Sequence, residues 1–167
     1  DAQVKSPDAA KKAVEAAEAA AKDAKKATKV ATWLKLATSY MDAYNAPKGS
    51  AWLGASKQEL QLLMPNEKPM ALEAYAKAYE VDVKKTKVKD INLGIETITN
   101  NYLDDAMSSY MFEDYAKASQ LFGKAADASA TEPYSKVDTT ALYNAGFTAW
   151  MMKDYPRAEE YFNKCVE

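Results

Sequence analysis

Apolar side chains along this chain recur every three or four residues, not in alternation. Ile91, Ile95, Ile98, Tyr102 and Ala106 fall on one helical face and predict a long helix over 90–111, with Asp90 as its N-cap. Ala71, Tyr75 and Ala78 mark another helix, and Ala10, Val14 and Ala17 a third. The last of these starts at Ser6-Pro7-Asp8: a cap, a proline at the first helical position and an acid against the dipole. Its face is nearly all alanine, so it is expected to be weakly held.

Two stretches of the pattern are near copies. "FEDYAKASQLFGKA" (112–125) returns 40 residues later as "MKDYPRAEEYFNKC" (152–165). Asp114-Tyr115 becomes Asp154-Tyr155, Ala118 becomes Ala158, and Phe122 becomes Phe162. An amphipathic stretch precedes each copy, and Tyr102 to Ala118 spans the same 16 residues as Leu142 to Ala158. The unit is therefore helix, short turn at "ED" or "KD", helix. An earlier copy opens with "TWLKLATSY", Thr32 to Tyr40. Its second helix, at Ala71-x3-Tyr75-x2-Ala78, is displaced by 22 inserted residues at 45–66.

These motifs resemble the tetratricopeptide repeat (TPR) family. Trp33-x2-Leu36-Ala37-x2-Tyr40 supplies the first half of the family pattern. Ala118-x3-Phe122 and Ala158-x3-Phe162 supply the second, and Gly146 stands at the glycine position of the last unit. Asp105 and Ser109 depart from the pattern in the middle unit. The resemblance implies an all-α, right-handed solenoid forming one array. Its parts would be a weak N-terminal helix (6–27), a first unit (28–82) with a short inserted helix, a second (90–130) and a third (138–167).

Within the insertion, Pro47, Gly49 and Gly54 predict a turn. Ser56 with Glu59 forms a capping box for a helix carrying Leu60, Leu63 and Met64, ended by Pro65. That segment reads either as a plug against the adjacent helical pair or as a contact loop bearing Trp52 and Leu53. The chain stops inside a second helix, which implies a truncated third unit and an uncovered face able to form a weak homodimer.

Composition removes several classes of function. Net charge is −2, which gives no electrostatic footprint for nucleic acid. "KKTKVKD" (84–90) reads as a solvated connection, with a phosphate or lipid contact as the alternative. No apolar stretch reaches the ~20 residues of a membrane span. With no histidine there is no Ser-His-Asp or Cys-His arrangement, and one cysteine, Cys165, allows no intrachain disulfide. Asp104-Asp105 and Glu159-Glu160 point to different helical faces. The expectation is a protein that is not an enzyme, with no cofactor and no metal site.

The resemblance implies that the first helix of each unit lines a concave, peptide-binding face. Its rows are Leu34, Thr38 and Met41; Leu103, Met107, Tyr110 and Met111; and Tyr143, Asn144, Phe147, Trp150 and Met151. The lysine-rich carboxylate clamp of chaperone-binding TPRs is missing from these rows. An aromatic and methionine-rich surface remains, suited to a protein or peptide segment, with self-packing as the competing reading. A second function stays open: a glycan- or small-ligand-binding helical lipoprotein of a bacterial uptake system. The missing initial methionine favours an extracytoplasmic site, periplasmic or associated with an outer membrane, and leaves a cytoplasmic one open.

Overall fold

The computed structural model describes residues 5–52 and 67–166. Among these the chain is all-α, with no strand. The helices are α1 (Pro7–Lys22), α2 (Val30–Trp52), α3 (Glu67–Val81), α4 (Val88–Met111), α5 (Tyr115–Ser129), α6 (Thr139–Met151) and α7 (Tyr155–Lys164). The chain divides into two compact units, Asp1–Ile91 and Asn92–Glu167. The division falls inside α4, whereas the repeat pattern placed a boundary at the 83–89 connection.

In the first unit α2 packs against both α1 and α3. The apolar positions read from the sequence are the buried ones: Ala10, Val14 and Ala17 of α1 and Ala71, Tyr75 and Ala78 of α3. Small residues let helical backbones approach closely, and Ala37, Ala43 and Ala46 of α2 meet them from the other side. α1 is held by more than alanine. Tyr40 Oη donates to Glu18 Oε1 at 2.7 Å, and Lys5 Nζ lies 3.1 Å from Asp42 Oδ2. Burial first, then this carboxylate, pushes the Tyr40 phenol well above its ordinary value. Ser6 caps α1 as expected, accepting from the Ala9 N–H at 3.3 Å.

Two local expectations fail. The turn predicted at Pro47 and Gly49 is absent, because α2 continues to Trp52. Proline removes one donor and crowds the preceding turn, yet a helix can pass through it where packing holds the rest. The inserted helix expected at 56–65 lies outside the described residues. Asp90 is not the N-cap of α4; it sits in the first turn, 3.9 Å from Lys87 Nζ. The capping work is done from α3's end. Buried Asp82 accepts from Thr86 N at 3.1 Å and Lys87 N at 2.8 Å. The lysine run thus belongs to a folded-back connection, in which Lys85 Nζ donates to Tyr79 O at 2.8 Å.

In the second unit the 40-residue echo is a geometric one. Glu113 and Lys153, each at the turn between paired helices, take left-handed φ values of 60° and 62°. Behind them Asp114 N donates to Ser109 O and Asp154 N to Ala149 O, both at 2.9 Å. Asp114 then caps α5 on Lys117 N, and Asp154 caps α7 on Arg157 N. Both turns close with the same hydrogen bonds, so the echo encodes one helix–turn–helix corner used twice.

Two outcomes follow for stability. Lys153→Gly releases a left-handed strain of roughly 1–2 kcal/mol, less the added freedom of the unfolded chain, for a net gain of about 0.5–1 kcal/mol. Its neighbour Asp154→Ala loses a cap and costs about 0.5–2 kcal/mol. Urea midpoints should therefore move in opposite directions, and a shift of the same sign would contradict this turn.

The backbone hydrogen bonds from Lys87 and then Thr86 hold the Asp82 carboxyl below its ordinary value of 3.8. A depressed folded pKa stabilises above the unfolded value and is lost as pH falls through the folded one. Wild type should exceed Asp82→Asn in stability at neutral pH, and the gap should close below about pH 4. A gap that stays constant from pH 7 to pH 2 would count against it.

Candidate functional site

The second unit is built around one aromatic side chain. Phe122 of α5 is 2% exposed and clusters with Ala118 of its own helix, Ala106 of α4 and Ala145 of α6. Leu103, Tyr110, Leu121 and Tyr161 surround it. Forty residues on, Phe162 of α7 meets α6 at Gly146, where a Cβ would stand 2.7 Å from the Phe162 ring. Ala106 and Gly146 are equivalent positions, so each repeat seats its phenylalanine on a small residue of the preceding helix. Gly123 repeats the device for Tyr161, whose hydroxyl occupies the space a Cβ there would need.

A buried polar chain fixes α5, α6 and α7 together. Arg157 Nε donates to Ser119 Oγ at 3.1 Å, and Ser119 Oγ donates to Ala145 O at 2.8 Å. Ser119 is fully buried, so each of these bonds keeps a polar group satisfied that would otherwise cost ~1–3 kcal/mol. Spacings of 26 and 38 residues carry no local pattern, and the sequence reading missed this network.

This frame sets the face on which the site residues lie. Met107 and Tyr110 of α4, Phe122 of α5, and Asn144, Phe147 and Thr148 of α6 line one pocket of about 240 Å³. Four of these six were expected in the groove; Phe122 and Thr148 were not. The Thr148 hydroxyl is satisfied within its own helix, donating to Asn144 O at 2.7 Å.

Beside the pocket an aromatic strip runs up α6. Tyr143 stacks on Phe147 with centroids 6.3 Å apart, and Phe147 on Trp150 at 6.1 Å. Tyr143 is 54% exposed, Trp150 52%, Met107 47% and Met111 77%. Met151 is half-buried, and Leu103 leans on the Phe122 cluster instead of facing outward. The ring partner of Tyr110 is Tyr115, at 5.7 Å.

The first-unit row does not form a comparable surface. Met41 is buried, Leu34 half-buried, and Thr38 bonds back to Lys35 O. Trp52 and Leu53 fall outside the residues whose side chains are described. Cys165 is half-buried, its Sγ 3.4 Å from Tyr161 O. The exposed positions of α7 are Tyr155, Pro156, Glu159, Glu160, Asn163 and Lys164, chiefly polar, with Lys164 paired to Glu160 at 3.2 Å. That face offers little apolar area for the homodimer expected at this end.

Among the described residues, no group of three or more Cys, Asp or Glu side chains gathers closely enough to hold a metal ion. No helix there is long and apolar enough to cross a membrane. No family model matches the chain, and neither does any curated protein or solved structure.

The contact at Gly146 gives a test of how the strip is supported. Gly146→Ala gains ~1 kcal/mol of helix propensity but forces Phe162 aside, an overpacking that costs ~1–3 kcal/mol. A net loss of about 1 kcal/mol is expected in urea unfolding. Phe162→Leu in the Gly146→Ala background should recover part of it, and no recovery would place the strain elsewhere.

Proposed function

We propose that this chain is a non-catalytic, TPR-like scaffold whose helical pairs stack as a solenoid and bind a protein or peptide segment. The carrying observation is the pocket shared by Met107, Tyr110, Asn144 and Phe147, bordered by the exposed Tyr143–Phe147–Trp150 strip. A 240 Å³ pocket is small for a whole ligand but takes one apolar side chain of a longer segment. Stacked rings supply rigid contact area at low entropic cost, and methionines adapt to the shape of what arrives.

Asn144 brings a side-chain amide to the pocket, with the same N–H donor and C=O acceptor that a peptide backbone unit carries. The absence of histidine from the sequence supports the non-catalytic part of the reading. The two turns with matching hydrogen bonds support the repeat part. With no lysine, arginine or acid lining the pocket, binding there should depend little on salt.

Selection from a displayed random-peptide library is the direct test. Wild type should select peptides with aromatic or aliphatic anchors, and Met107→Ala/Trp150→Ala should lose them by tenfold or more. Both side chains are about half exposed, so the variant should keep its helical circular dichroism. If it stays folded and retains every selected peptide, the strip is packing and the groove reading fails.

A further inference from the structure

The first unit holds a larger cleft that the peptide-groove reading does not use. It lies between α2 and α3 and encloses about 520 Å³. Leu36, Tyr40 and Ala74 form its buried base, with Met70 beside them. Trp33 and a stripe of Glu73, Lys77 and Glu80 on α3 form its rim. The volume lies in the range of small-ligand sites.

The rim is built as a cation receptor. The Trp33 indole N–H donates to Ala27 O at 2.8 Å, which fixes the plane of the ring. Over that ring, 5.9 Å from its centroid, stands the Lys77 ammonium. The same ammonium is held by both oxygens of Glu80 at 3.2 Å. An amine above an indole face, neutralised by a carboxylate, is the arrangement that recognises alkylammonium groups. Here the chain supplies the amine itself.

Charge then decides what else the cleft accepts. Glu73 and Glu80 carry two negative charges against the single positive charge of Lys77. Glu73 makes no ion pair among the described residues. One carboxylate is thus left over, two helical turns from the occupied one and lining the same cleft. The other lining side chains, Leu36, Met70 and Ala74, suit the methylene stem of a long cationic side chain, which buries its carbons while its head stays with the acid.

We propose that the α2–α3 cleft binds the cationic side chain of a lysine or arginine in a peptide segment. The head pairs with Glu73, and the stem lies along Leu36, Met70 and Trp33. Lys77 is then a competitor as well as a neighbour: it covers the indole face and repels a second cation. The cleft differs from the groove of the second unit in chemistry, and its binding should weaken as salt rises.

The test uses the whole chain and two-dimensional NMR of the indole N–H signals. The probes are Nα-acetyl-lysine amide and Nα-acetyl-arginine amide, with Nα-acetyl-norleucine amide as the uncharged control and methyl glucoside as a neutral sugar. The cationic probes should shift the Trp33 signal in a saturable way, and norleucine should not. Glu73→Gln should weaken them at least fivefold, and Lys77→Met should strengthen them at least threefold while its spectrum stays folded. Norleucine binding as well as lysine, a sugar binding more tightly, or Lys77→Met leaving affinity unchanged would each overturn the proposal. Loss of library peptides by the Met107/Trp150 variant leaves this outcome untouched, so the two sites stand or fall separately.

Discussion

The second unit depends on a ring settling against a small residue one helix back. Phe122 does so at Ala106 and Phe162 at Gly146. A phenylalanine on a helix needs a partner surface without bulk, and a Cβ-free or Cβ-only position provides it. Once that contact is made, the turn between the helices has little freedom left. Its hydrogen bonds come out alike at 109–114 and 149–154, and a left-handed residue is accepted at Glu113 and Lys153 where glycine would be easier. The strain at each of those positions, roughly 1–2 kcal/mol, is outweighed by the burial of an aromatic ring, worth up to ~3 kcal/mol.

The same contact decides which side chains reach the surface. With Phe122 and Ala145 buried, the helical period turns Met107, Tyr143 and Trp150 outward and brings Asn144 and Phe147 to a shared edge. The site is therefore a by-product of the packing register. A chain that exchanged Ala106 for a large residue would displace Phe122, and Met107 and Tyr110 with it. This coupling is why the pocket wall includes Phe122, a residue that reads from sequence as core alone.

Much of the helical content was legible because it rests on local chemistry. Ala10-Val14-Ala17, Ile91-Ile95-Ile98 and the Asp114/Asp154 echo each declare a face or a cap within one or two turns of chain. What was not legible depends on distance. Asp82 caps the start of α4 across a loop, so the nearer Asp90 looked like the better candidate. The Arg157–Ser119–Ala145 chain joins three helices through residues that no periodicity marks. Pro47 and Gly49 carry turn propensities of a few kcal/mol at most, and the helix α2 overrides them. For the proposed groove, composition named a set of residues but could not rank their exposure. Leu103 and Met107 stand four residues apart on α4, yet one leans on the core and the other is half exposed.

The two concavities divide the chemistry of the chain between them. The pocket of the second unit is lined by aromatic, methionine and uncharged polar side chains alone, so whatever enters is selected by shape and apolar area. The cleft of the first unit has three charged side chains at its rim, and shape matters there less than sign. Apolar contacts of the first kind set how long a complex lasts, because they are lost only on dissociation. Charges of the second kind act before contact and set how often an encounter is productive.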